Sequence, residues 1–181
     1  MEEDVILTGR LTDRILLSSI YARADLFLFP SMFDASSIVQ IEAAVNETPG
    51  LFVFLIDQSG SMSGKPIELV KKALLLFIQS LPEQSYFQLI GFGSDFKKYN
   101  QEPVIYNKEN VDAIINIINE LKADLGGTNI SGPLDSIYKD ECYSKINLSR
   151  NIFLLTDGEV FDREKCIELI SVNSSKFRLH S

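Results

Sequence analysis

Short apolar runs alternate with stretches of helical period along the whole chain, and this alternation constrains the fold more than any other feature. Val5 to Thr8, Asp25 to Phe29, Leu51 to Ile56, Tyr86 to Phe92, Val104 to Tyr106 and Asn151 to Thr156 read as strands. Phe177 to His180 reads as one more. Most of these runs are apolar on successive residues, as strands covered on both faces should be. Between them, Asp13 to Ala24, Ser36 to Asn46, Pro66 to Leu81, Val111 to Leu121, Gly132 to Tyr138 and Arg163 to Val172 carry helical spacing. Pro66 in a first turn and Asp13 ahead of its apolar run are helix-start signals. Strand and helix in alternation predict an α/β fold: a three-layer, doubly wound, mainly parallel sheet with helices on both faces.

Composition narrows what such a fold can do. The chain has 181 residues, enough for one domain with a sizeable core. Its 17 Lys and Arg stand against 25 Asp and Glu, a formal charge of -8 with no basic run. Nucleic acid and anionic membrane surfaces call for the opposite sign, so neither is expected as a partner. The single histidine, His180, leaves no imidazole for a Ser-His-Asp triad or a His-rich zinc site. Cys142 and Cys166 lack CxxC spacing and read as reduced, structural residues. No signal-peptide layout opens the chain, and no apolar run reaches the roughly 18 residues of a membrane-spanning helix, so a cytoplasmic location is expected. The Asn-x-Ser/Thr triplets at Asn46, Asn129, Asn147 and Asn173 read as chance, and the pairs Lys71-Lys72 and Lys97-Lys98 as solvated faces.

Chemistry concentrates after the strand Leu51 to Ile56. The string Asp57-Gln58-Ser59-Gly60-Ser61 lies at the carboxyl edge of a central parallel strand, where open α/β sheets bind ligands. Thr128 in Gly126-Gly127-Thr128-Asn129 and Asp157 in Thr156-Asp157-Gly158 fall in loops expected at the same edge. Two carboxylates and three hydroxyls make an oxygen-only set suited to a hard cation such as Mg2+ or Mn2+. Other readings of this loop fail on spacing. Gly60 and Gly64 enclose too few residues for a phosphate-binding loop, and Pro66 follows Lys65 where that loop needs Ser or Thr. Gly-x-Ser-x-Gly, the nucleophile elbow, is absent.

From about Leu51 to Ser181 the chain resembles a von Willebrand factor A domain, and these residues match the metal-ion-dependent adhesion site (MIDAS) of that family. The resemblance implies that Ser59, Ser61 and Thr128 bind the metal through hydroxyls, with Asp57 and Asp157 binding directly or through water. It also implies a protein partner whose Asp or Glu carboxylate fills the remaining position. Neutral hydroxyls leave the ion's charge incompletely offset, which is why an acidic partner is attracted. Such a domain is expected to continue past Ser181 into a completed fifth strand, a helix and a sixth strand.

Residues 1 to about 50 resemble something else. Val5-Ile6-Leu7-Thr8-Gly9-Arg10, Asp25-Leu26-Phe27-Leu28-Phe29-Pro30-Ser31 and Phe33-Asp34-Ala35-Ser36-Ser37 are similar to the nucleotide-sugar half of a family-four glycosyltransferase of the GT-B fold. That resemblance implies a donor-gripping pair, Asp34 and Glu42, but a helix cap at Asp34 and a buried or solvated helix residue at Glu42 is the favoured reading. Fewer than fifty residues cannot build the cleft of such an enzyme. The sequence therefore reads as a single composite Rossmann-like domain over 1–181, a chimera of a 1–50 glycosyltransferase-like segment and a 51–181 A-domain-like segment. Its N-terminal strands are expected beyond Asn151 to Thr156. The expected function is a non-enzymatic, cation-dependent protein-binding module. The alternatives are a remnant nucleotide-sugar site and a purely structural chimera. An unpaired edge strand can also promote dimerisation.

Overall fold

The computed structural model describes residues 48–157 and 163–180. Strand β1 (Gly50–Asp57) is buried at every position. It pairs in parallel with β2 (Tyr86–Phe92) on one side and with β5 (Ser149–Leu155) on the other. Beyond β5 lies β6 (Arg178–His180), again parallel. The other edge is antiparallel: β3 (Phe96–Lys98) and β4 (Val104–Ile105) both pair with β2, giving the order β3-β2-β1-β5-β6 with β4 off the path.

Alternation along β1 builds the layers. Phe52, Phe54 and Ile56 share one cluster with Val70, Leu74, Phe77 and Ile78 of helix α1 (Lys65–Ser80) and with Ile114 and Ile118 of α2 (Lys108–Glu120). Leu51, Val53 and Leu55 face the opposite cluster, which holds Leu134 and Ile137 of α3 (Ser131–Lys139) and Cys166 of α4 (Arg163–Asn173). The three-layer, doubly wound architecture expected from the sequence is the one found.

The departures are local. Helix α2 begins at Lys108, earlier than its apolar pattern indicates, because the Asn107 side chain accepts a hydrogen bond from Asn110 N–H at 2.9 Å and caps the first turn. Strand β3 escapes the pattern because it is three residues long with a single apolar member. Neither Lys71 nor Lys98 is a solvated face. Lys71 pairs with Glu68 and Lys98 with Asp140, each at 2.7 Å, and both lysine side chains are largely covered. Cys142 and Cys166 are unbridged, as expected of reduced structural cysteines. Burial, with Asp140 adding to it, pushes the Cys142 thiol up to about 12 and leaves it a poor nucleophile.

The place beside Asn151–Phe153 of β5, where the N-terminal strands were expected, is filled by β6. The strands Val5 to Thr8 and Asp25 to Phe29, the helices Asp13 to Ala24 and Ser36 to Asn46, and Asp34 and Glu42 all lie outside the described residues.

The Lys98–Asp140 pair ties the antiparallel edge to the short 3-10 turn Glu141–Lys145, whose Cys142 N–H donates to Asp140 Oδ1 at 3.0 Å. The hydrogen bond from Lys98 chiefly, then that from Cys142, holds the Asp140 carboxyl down to about 2, from 3.8. A depressed folded-state value contributes stability that is complete above the unfolded value and fades as pH falls through the folded one. Asp140→Asn is therefore expected to flatten the acid limb of a stability-against-pH curve between roughly pH 4 and 2, by about 1–2 kcal/mol after solvent screening. Urea titrations at closely spaced pH check this, and an unchanged acid limb contradicts it.

Candidate metal centre

The site grows out of the carboxyl end of β1. Asp57 is the last residue of that strand and is fully buried. Its carboxylate is held at both oxygens: Ser59 N–H donates to Oδ1 at 2.8 Å, and the Thr156 hydroxyl donates to Oδ2 at 2.6 Å. The chain then winds through a short 3-10 turn, Gly60–Met62, closed by Met62 N–H to Ser59 carbonyl at 3.1 Å. Met62 is fully buried in the α1 side of the core and anchors the loop from below. The turn sets Ser59 Oγ and Ser61 Oγ 3.0 Å apart. Ser59 is buried and Ser61 exposed, so the hydroxyl pair opens from the protein to solvent. Gly64, with φ of +80°, turns the chain into α1, where Pro66 occupies the first turn.

A second loop is stitched to the first by main-chain bonds. Leu125 N–H donates to Gln58 carbonyl at 3.0 Å and Gly60 N–H to Gly126 carbonyl at 2.8 Å. This carries Thr128, which is 7% exposed, to the same sheet edge. The close approach needs a glycine at 93, since a Cβ there would lie 2.3 Å from the Leu125 carbonyl oxygen. Gly126 has φ of +82°, a conformation in which a side chain is strained. The far side of this loop is fixed by Ser94, whose Oγ accepts from Gly127 N–H at 2.8 Å.

The third loop follows β5. Asp157 comes directly after Thr156 and is exposed. Hydrogen bonds thus unite Asp57, Ser59 and Ser61, main-chain stitching brings in the loop of Thr128, and the Thr156 bond to Asp57 draws the β5 end alongside with Asp157. Sequence reasoning missed Thr156, whose hydroxyl holds the Asp57 carboxylate. Its signal was its place at the end of the strand Asn151 to Thr156, directly before Asp157. Among the described residues, no three His, Cys, Asp or Glu side chains gather as a metal cluster, so any cation here depends on hydroxyls.

The donor set fits a hard divalent ion. The oxygens are neutral hydroxyls apart from two carboxylates, and Asp57 already accepts a hydrogen bond at each oxygen, an arrangement suited to holding metal-bound water. Thr156→Val removes the bond to Asp57 Oδ2 while keeping shape. It is expected to weaken divalent-cation affinity by about tenfold, measured by calorimetric titration with Mn2+. An unchanged affinity would show that the bond does not orient Asp57.

The family model described as von Willebrand factor type A domain matches residues 51–181. A von Willebrand factor A domain-containing protein of Dictyostelium discoideum is 41% identical over 128 residues, covering 71% of this chain and 14% of that protein. The rat von Willebrand factor A domain-containing protein 5A is 39% identical over 149 residues, covering 77% of this chain and 18% of its own. Its human counterpart, 34% identical, covers 83% of this chain and 21% of its own. Those 83% exceed what residues 51–181 contain, so that match continues upstream of Leu51. The chain spans about a fifth or less of the length of these relatives.

Solved structures agree on the fold. The von Willebrand factor type A protein from Catenulispora acidiphila superposes with a TM-score of 0.63 at 19% identity, over 73% of this chain and 32% of its own. Proximal thread matrix protein 1 from the mussel byssus, with a zinc-occupied MIDAS motif, gives 0.59 at 16%, over 78% and 38%. Manganese-loaded TRAP protein from Plasmodium vivax gives 0.56 at 21%, over 74% and 56%.

Proposed function

The chain belongs to the von Willebrand factor type A family over residues 51–181, and from that premise we propose that it is a divalent-cation-dependent protein-binding module with no catalytic step of its own. The observation that carries this reading is the hydroxyl pair of Ser59 and Ser61, 3.0 Å apart and backed by the doubly hydrogen-bonded Asp57, at the carboxyl edge of the sheet. Ser59, Ser61 and Thr128 would hold Mg2+ or Mn2+ through their hydroxyls. Asp57 and Asp157 would act directly or through water.

The bound ion supplies a positive centre at the protein surface. Three of its five protein donors are uncharged, so part of its charge stays available to an Asp or Glu carboxylate of a partner protein. Binding chemistry of this kind breaks no covalent bond. The buried Asp57 keeps the loop rigid before the partner arrives, which lowers the ordering cost of association. Two fold relatives carry zinc or manganese in the forms described above, which supports a cation here.

The match that runs upstream of Leu51 in the human relative argues for continuity with that protein and against a seam at residue 50. The glycosyltransferase-like segment, and with it Asp34 and Glu42 as a nucleotide-sugar site, has no comparable support.

Water-proton relaxation tests the carboxylate role. Mn2+ bound to this protein should lose relaxation enhancement as a peptide bearing an aspartate side chain displaces coordinated water, whereas the matching asparagine peptide should leave it unchanged. Equal behaviour of the two peptides would sink the proposal.

A further inference from the structure

Gln58 stands between two residues of the candidate site, yet its side chain serves the scaffold. It is 1% exposed. Its Nε2 donates to the Lys122 carbonyl at 2.6 Å, and its Oε1 accepts from the Tyr99 hydroxyl at 2.7 Å. Its main chain is equally engaged, N–H to Phe92 carbonyl at 2.8 Å and carbonyl from Leu125 N–H at 3.0 Å. The carboxamide lies against Gly91, where a Cβ would fall 1.8 Å from Gln58 Oε1 and 3.0 Å from Tyr99 Cε2. A glycine on β2 thus makes the slot, Tyr99 after β3 closes it, and Lys122 at its far end begins the segment that leads to Thr128.

We propose that Gln58 and Tyr99 act as one positioning unit that sets the spacing between the Asp57–Ser61 loop and the Thr128 loop, and thereby tunes cation affinity without touching the ion. The inference rests on the metal-site reading above. Its physical basis is that a small divalent ion demands near-ideal ligand distances, while its hydroxyl donors here come from two separate loops. Gln58 is the residue whose side chain and main chain both bridge those loops: through its carbonyl to Leu125 and its carboxamide to Lys122. Loss of the Tyr99 hydroxyl leaves Oε1 without its donor and frees the carboxamide to shift, so that a residue just past edge strand β3, 41 positions away in sequence, acts on the ion.

The test is a Mn2+ titration, read by the electron paramagnetic resonance of the free ion, on the parent, Tyr99→Phe, Gln58→Leu and the double variant, with thermal melts in EDTA alongside. Tyr99→Phe is expected to weaken Mn2+ binding about 3- to 10-fold and Gln58→Leu about tenfold. The double variant should bind no more weakly than Gln58→Leu alone, since the two groups act through one contact. Lys139→Ala, at the exposed Asp135 pair, should match the parent. Parent-like Mn2+ affinity in Tyr99→Phe, or fully additive losses in the double variant, would overturn the proposal even if melting temperatures fall. A parent that binds no Mn2+ would instead overturn the metal-site reading and this inference with it. Should Gln58→Leu not fold, Tyr99→Phe, which removes a single oxygen, decides the matter.

Discussion

An Asp57→Asn variant is expected to unfold near the parent temperature in EDTA but to lose the rise in melting temperature that Mg2+ or Mn2+ confers on the parent. The asparagine side chain keeps the shape of the carboxylate. It can still accept from Ser59 N–H and exchange a hydrogen bond with the Thr156 hydroxyl, the two groups that now hold Asp57. What it loses is the charge. An ion that binds only the folded state stabilises it by about 2.7 kcal/mol at one hundred times its dissociation constant, roughly 5–10 °C for a domain of this size. Asp57→Ala separates the two roles in the other direction. It leaves a buried N–H and a hydroxyl without their acceptor and is expected to cost about 1–3 kcal/mol even in EDTA. A metal-dependent rise that persists in Asp57→Asn would remove Asp57 from the site.

The largest effect on stability is expected at Phe153. This β5 residue is 1% exposed and meets Phe77 of α1 at 5.1 Å, Phe54 of β1 at 5.6 Å and Phe52 at 6.3 Å between ring centroids. Phe54 and Phe77 are themselves edge-on at 5.4 Å, so three of the rings are in mutual contact. Phe153→Ala removes a ring from between the sheet and α1 and is expected to cost about 3–5 kcal/mol, because the neighbouring aromatics are too rigid to fill the space. Phe153→Leu refills most of that volume and should cost about half as much. Urea unfolding followed by circular dichroism measures both. Similar values for the two variants would mean that the cavity relaxes, contrary to the packing described.

How far the sequence foretold this molecule follows from particular residues. Strand β1 was readable because burial on both faces writes an unbroken apolar run, Leu51-Phe52-Val53-Phe54-Leu55-Ile56, and β2 because only Gln88 and Gly91 interrupt its apolar residues. Helix α1 was readable from Pro66 and its spaced apolar residues. Strand β3 was not, since its pairing depends on β2 rather than on its own pattern, and Lys97-Lys98 suggests solvent. The early start of α2 was hidden in one capping asparagine.

At the site, the proposed oxygen donors were readable as residue types at particular spacings, the pattern that a divalent ion would require. Their supports were not. Thr156 and Tyr99 act across 99 and 41 residues of sequence, and Gln58 occupies the variable position of the Asp-x-Ser-x-Ser string. Such partners are set by which strands become neighbours. Only the pairing of β1 with β2 and β5 brings Gly91 beneath Gln58 and Thr156 beside Asp57.

An oxygen-only cluster at the carboxyl edge of β1 is proposed to bind one divalent cation. Titrating the parent protein into Mn2+ and following the resonance of the free ion measures this directly. The expected result is loss of the free-ion signal with one saturable site per chain, reversed by excess Mg2+ and absent in Asp57→Asn. A free-ion signal that stays unchanged up to millimolar protein, or that falls equally for the parent and Asp57→Asn, would contradict it.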